Sequence, residues 1–155
     1  MLVEAFVALL MERSYRNVRI ADIVTSADVG RSTFYEHFRG KDEILLASMG
    51  WMFAILADAV KPDACRETLV RLATHFWDNR SLARTVLVHP VQPKLERALT
   101  RALEERLTIG DVANRRLRAV AIAAGQLSIL GAWTRGELPA SAGDVADALV
   151  GIARA

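Results

Sequence analysis

Apolar residues in this chain recur at spacings of three and four, the period of an amphipathic helix. From Leu2 to Met11, one stripe holds Val3, Phe6, Val7 and Leu10, which predicts a first helix. Ser14-Tyr15-Arg16-Asn17 reads as a turn, with Tyr15 packed inward rather than facing a partner. Ile20, Ile23, Val24 and Ala27 then give a short helix one apolar face. Ala27-Asp28-Val29-Gly30 breaks the pattern. Aspartate enters the left-handed region at modest cost, so Asp28 suits a tight turn that Val29 pins to the core. A second short helix, Arg31 to Phe38, turns Phe34 and Phe38 inward. Two short helices joined this way form a helix-turn-helix, and the first helix packs across it to complete a three-helix head.

Beyond the head the helical period continues. Lys41-Asp42-Glu43 opens a helix whose apolar content is nearly continuous from Ile44 to Val60, and acidic residues in its first turn suit the helix dipole. Pro62 stops it. Asp63 is the expected cap of a helix reaching about Asn79, with Leu69, Leu72, Ala73, Phe76 and Trp77 inside. Ser81 is the expected cap of a shorter helix through Leu87 and Val88, and His89-Pro90 with Gln92-Pro93 marks a loop. Leu95, Leu99, Ala102, Leu103 and Leu107 predict a helix starting near Pro93 and closed by Gly110. Asp111 to Trp133 reads as the most buried helix, its Ala121, Ala124, Gly125, Gly131 and Ala132 allowing close approach of a neighbour. Ser141-Ala142-Gly143-Asp144 resembles a capping box ahead of Val145, Leu149 and Ile152. The expected fold is all-α: a three-helix helix-turn-helix head over residues 1–40 and an antiparallel helical bundle over residues 41–155, about nine helices. The last two helices are expected to pair with those of a second copy in a four-helix interface.

Composition changes this picture in one respect. Hydrophobic residues make up 52% of the chain and the mean hydropathy is +0.20, so excess apolar surface needs a destination, and a subunit interface supplies one. With no run of about twenty apolar residues, no transmembrane helix or membrane partner is expected. Without a basic-then-apolar leader, no signal peptide is expected either. One cysteine, Cys65, excludes an internal disulfide, fits a reducing cytoplasm and reads as a small core residue. The head is not basic: Met1 to Leu46 holds six lysines and arginines against seven acids. Nucleic-acid binding there would rest on placement of charge and would be weak for non-specific sequence.

The exposed side of Arg31–Phe38 carries the chemistry. Arg31 can pair with the O6 and N7 of guanine, and Thr33 offers a methyl to thymine or a hydroxyl to phosphate. Ser32 lies on the same face, and Tyr35, His37 and Lys41 can donate to phosphate oxygens. The run A-D-V-G-R-S-T-F-Y-E-H-F-x-x-K-D-E-I-L, Ala27 to Leu45, resembles the A-G-V-S-x-x-T-F-Y-x-H-F-x-x-K-x-x-L signature of the TetR/AcrR family of bacterial transcriptional regulators. G-A-W-T-R-G-E-L, Gly131 to Leu138, is similar to the way many members close. The resemblance implies a DNA-binding head, and a body that dimerises and takes a small hydrophobic effector. It further implies a palindromic operator as double-stranded DNA partner, and a helix after Lys41 that transmits the effector signal. Arg19 stands where the family prefers threonine, a helix cap that arginine cannot replace, so the cap must come from elsewhere. Family members commonly carry further, often basic, residues ahead of the first helix; here the sequence begins at that helix, trimmed or lacking an arm.

Catalytic and metal chemistry is not expected. No phosphate-cradling glycine loop, H-E-x-x-H or G-x-S-x-G occurs, and His37, His75 and His89 are far apart in sequence. Neither a cofactor nor an enzymatic activity is therefore expected. Candidate effector-lining residues are Trp51, Met52, Ile55, His75, Phe76 and Gln126, since bundles build pockets from apolar helices bearing a few polar groups. Gln126, an amide in an apolar run, must find a partner in an effector, a second subunit or a neighbouring helix. Two alternatives stand beside the ligand-responsive repressor: a DNA-binding dimer with no effector, and a helical interaction module or enzyme with a vestigial helix-turn-helix.

Overall fold

The computed structural model describes residues 1–88 and 90–155; His89, one half of the expected His89-Pro90 loop signal, lies outside the described residues. Every regular element among the described residues is helical. The chain divides into two compact units, Met1–Gly50 and Trp51–Ala155.

The first unit holds α1 (Leu2–Glu12), a 3₁₀ turn (Tyr15–Asn17), α2 (Ile20–Ser26), α3 (Arg31–His37) and the start of α4 (Lys41–Asp58). The buried stripe of α1 is Leu2, Ala5, Phe6, Leu9 and Leu10, one step round from the expected one: Val7 is 40% exposed. Tyr15 is buried, its ring edge-on to Phe6. Ile23, Val24 and Phe34 close the centre, while Phe38, expected inside, is only half-buried at the end of α3. No side chain caps α2 at Arg19; only the reverse half of a capping box is present, the Arg19 amide donating to the Asp22 carboxylate at 2.9 Å.

The second unit holds the rest of α4, then α5 (Arg66–Asp78), α6 (Arg80–Val86), α7 (Gln92–Glu104), α8 (Val112–Thr134) and α9 (Ala142–Arg154). α7 packs along α8, α5 along α9, and α8 also meets α6 and α9. Leu69, Leu72, Leu95, Leu99, Leu103 and Leu127 are buried among them. Several expected boundaries move. Cys65, not Asp63, precedes α5, and Asn79, not Ser81, precedes α6, neither with a side-chain cap; the backbone turns there leave the aspartate and serine outside capping position. α7 ends at Glu104, six residues before Gly110, although Gly110 does take the positive φ of 96° expected of it. The Ser141–Asp144 box is complete: the Ser141 amide donates to the Asp144 carboxylate at 2.8 Å and the Asp144 amide donates back to the Ser141 hydroxyl at 3.1 Å.

α8 departs most from expectation. By length and composition it is apolar enough to cross a membrane, but half of its apolar window is buried against other helices, as in a core helix. Its first third is exposed, with Val112 at 72% and Leu117 at 71%. Of its two glycines, only Gly125 serves helix approach: a Cβ there would meet Ile152 Cδ1 of α9 at 3.0 Å, whereas one at Gly131 would meet the Arg135 side chain.

Candidate nucleic-acid interface

The turn between α2 and α3 is built as the sequence requires. Asp28 adopts φ 53°, the left-handed region, and the Val29 amide donates to the Val24 carbonyl at 3.0 Å, closing the chain back on α2. Val29 is half-buried. Gly30 then precedes α3 in extended conformation. Phe34 is fully buried and fixes the rotation of α3 about its axis, with Phe38 and Tyr35 rings 5.7 and 5.4 Å away. That rotation leaves Arg31, Ser32, Glu36 and His37 exposed, Tyr35 52% exposed and Thr33 half-buried. Five of the six expected contact residues therefore share one short helix and reach solvent to differing degrees.

Lys41, the sixth, is engaged differently. Its ammonium donates to the Tyr15 carbonyl at 2.8 Å and the Val18 carbonyl at 3.0 Å, and sits 4.2 Å above the Tyr15 ring. Burial pushes its pKa down, with the neighbouring Asp42 carboxylate opposing. The Tyr15 hydroxyl donates a short hydrogen bond to Asp42, and burial together with that carboxylate pushes the phenol far above its ordinary value. The cluster ties the start of α4 to the 3₁₀ turn. No signal in the sequence separates this role from a phosphate contact, because both ask for a donor at the same place. Arg39, between α3 and α4, has a side chain 95% exposed that reaches Glu43 only at 3.9 Å.

The expected effector-lining residues do not share one environment. Trp51 is 49% exposed and edge-on to the exposed His75, ring centres 5.2 Å apart. Met52 and Ile55 are half-buried, and Phe76 is buried. Gln126 is fully buried; its amide nitrogen donates to the Leu56 carbonyl at 3.1 Å and its Oε1 has no donor. Reversing the amide would set two oxygens against each other, so the orphan is the oxygen. Ile55 alone of the six lines either body cavity described, one of about 200 Å³ shared with Asp58, Lys61, Cys65, Thr68 and Leu69. Asp58 accepts from Arg106 Nε at 2.5 Å and lies 2.9 Å from Lys61 Nζ, contacts that hold its carboxyl below the usual range. Cys65 is exposed rather than in the core, because it stands one residue ahead of α5; hydrogen bonds from Thr68 draw its thiol below the ordinary value. Among the described residues no group of histidine, cysteine and carboxylates is placed to hold a metal.

Residues 2–48 match the family described as bacterial regulatory proteins, tetR family. The HTH-type transcriptional regulator CymR of Pseudomonas putida is 28% identical over 123 residues, which span 72% of this chain. The chain covers 61% of that relative's length. Among solved structures, the TetR family repressor AlkX from Dietzia sp., implicated in biodegradation of n-alkanes, matches with a TM-score of 0.59 at 20% identity. That match covers 98% of this chain and 91% of the repressor, and at such identity it speaks to the fold. The helix-turn-helix geometry, the family match over residues 2–48 and the shared all-helical fold agree in likening the head of this chain to that of the TetR family of bacterial regulators.

Proposed function

We propose that the protein is a transcriptional regulator of repressor type that binds a palindromic operator as a homodimer and releases it on binding an effector in its body. The observation that carries the reading is the outward face of α3. Arg31, Ser32, Thr33, Tyr35 and His37 are presented there by a helix whose rotation is set by the buried Phe34. Arginine and threonine on such a face suit base edges, and serine, tyrosine and histidine suit phosphates. Lys41 enters this reading as the residue that positions α4 against the 3₁₀ turn.

The outer side of α8 and α9 supports the dimer. On α8, Leu117, Ala121, Ala124 and Ser128 recur at helical spacing, and all are exposed or half-buried. On α9, Ala148 and Gly151 are placed likewise, one exposed position three residues before the other. Small and apolar residues on two neighbouring helices suit a second copy of both, packed as a four-helix interface. An effector in the body is supported by Gln126, whose unpaired Oε1 calls for a donor that the helices do not supply. Effector binding would act by unequal affinity for the DNA-bound and free arrangements.

Selection of bound duplexes from a random pool tests the reading. Enrichment of an inverted repeat with half-sites about one DNA turn, roughly 34–36 Å, apart is expected. Recovery of no sequence above the starting pool at low salt would overturn it. A purely dimeric DNA binder without an effector would select the same repeat, yet show no thermal-shift response across a panel of small hydrophobic compounds.

A further inference from the structure

A second body cavity, of about 220 Å³, runs between α7 and the start of α8, and its lining is charged where that of an apolar effector pocket would not be. Arg97 and Arg101 line it from α7, one turn apart, and Arg116 faces them from α8. Arg116 is partnered, 3.3 Å from Glu104. Arg97 and Arg101 have no ion-pair or hydrogen-bond partner among the described residues, although Glu96 also lines the groove. Like charges four apart on a helix repel one another, so the pair is held together at a cost that an anion would remove. The Thr100 hydroxyl is spent on the Glu96 carbonyl at 2.8 Å, which leaves the guanidinium groups as the side-chain donors free in the groove. Val120, 44% exposed, supplies an apolar wall.

We propose that this groove is a binding site for a small organic oxyanion, a carboxylate or phosphate on a modest apolar body. The fork of donors on arginine matches two oxygens of either group, and two adjacent forks favour an anion over a neutral ligand. The volume, roughly seven waters, accommodates a compact acid. The inference stands on α7 and α8 alone and does not require the DNA reading.

Titration calorimetry on the full chain, with benzoate and with phenyl phosphate at constant chloride, tests it. Binding of at least one probe is expected. It should weaken by about tenfold or more in R97Q/R101Q, the effect of removing a charge-assisted hydrogen bond, and stay unchanged in R115Q. Equal binding by wild type and R97Q/R101Q, or an equal loss in R115Q, would overturn the site in favour of diffuse charge. Binding only to phosphatidylglycerol vesicles, with neither soluble probe bound, would assign the arginines to a lipid surface and also overturn it. So would a change of assembly state in R97Q/R101Q without loss of probe binding, which would give them to the second copy. Should the double variant fail to fold, V120W fills the groove and must abolish probe binding. Operator binding measured on the same samples separates the two ideas: its absence defeats the regulator reading and leaves the groove standing.

Discussion

Lys41 shows how one side chain can satisfy two descriptions. At the residue scale its ammonium already has two carbonyl acceptors and an aromatic face, so little of it remains for a phosphate. We expect Lys41→Met to lower the thermal midpoint of the head while leaving the salt dependence of DNA binding unaltered. A slope that falls by about one counterion with stability intact would return Lys41 to the DNA. Arg31, by contrast, is exposed and has no partner to lose. Arg31→Ala is expected to cost about 1–3 kcal/mol of operator affinity and to relax base preference at one position of each half-site. An unchanged preference after selection would remove it from base reading. Tyr15 gives a test by pH. Its folded-state pKa lies above the unfolded value, so its contribution is complete below the ordinary tyrosine value of 10.0 and is lost as pH rises beyond it. At about pH 11 the folded wild type and Tyr15→Phe should show equal phenolate absorbance, and differ by one tyrosine once denatured. A difference already present in the folded state would refute the buried Tyr15–Asp42 bond.

At the scale of elements, two glycines in long helices make opposite demands. Gly50 lies inside α4, is exposed, and has nothing near the place a Cβ would occupy. Glycine there costs helix stability with no contact in return, so Gly50→Ala should stabilise by about 1 kcal/mol. Gly125 lies inside α8, where a Cβ would meet Ile152 Cδ1 at 3.0 Å and Cγ2 at 3.3 Å. Two carbons of Ile152 would have to give way together, so Gly125→Ala should lower the thermal midpoint despite its better propensity. Stabilisation by both substitutions would mean that α8 and α9 do not approach as closely as described. The helix-turn-helix was legible at this scale because its determinants are local: the aspartate in the turn, the period of Ile23, Val24 and Phe34, and the fixed spacing between them. The caps of α5 and α6 were not legible. Several polar residues compete at each loop, and the backbone path between packed helices chooses among them.

For the whole molecule, part of the apolar surface left over by the hydropathy lies on the outer side of α8. Leu117 stands 71% exposed on the outer side of α8, on one stripe with Ala121 and Ala124. If a second copy covers this face, Leu117→Glu places a charge in an apolar contact and should convert dimer to monomer in sedimentation at micromolar concentration, with helix content retained. Operator affinity should fall with it, since each half-site alone engages one head. A variant that stays dimeric would move the interface elsewhere.

What the sequence by itself determined is whatever depends on near neighbours along the chain: the helical period, the left-handed turn at Asp28, the Ser141–Asp144 box and the order of residues presented by α3. Each is decided within a few residues, so the pattern alone carries it. Tertiary structure decided what depends on residues distant in sequence. It turned Lys41 toward Tyr15 and Val18, left Cys65 outside the core, exposed the first third of α8, and set two unpaired arginines beside a third across a groove. Burial and charge pairing are properties of what lies opposite, and only the packed helices supply the opposite side.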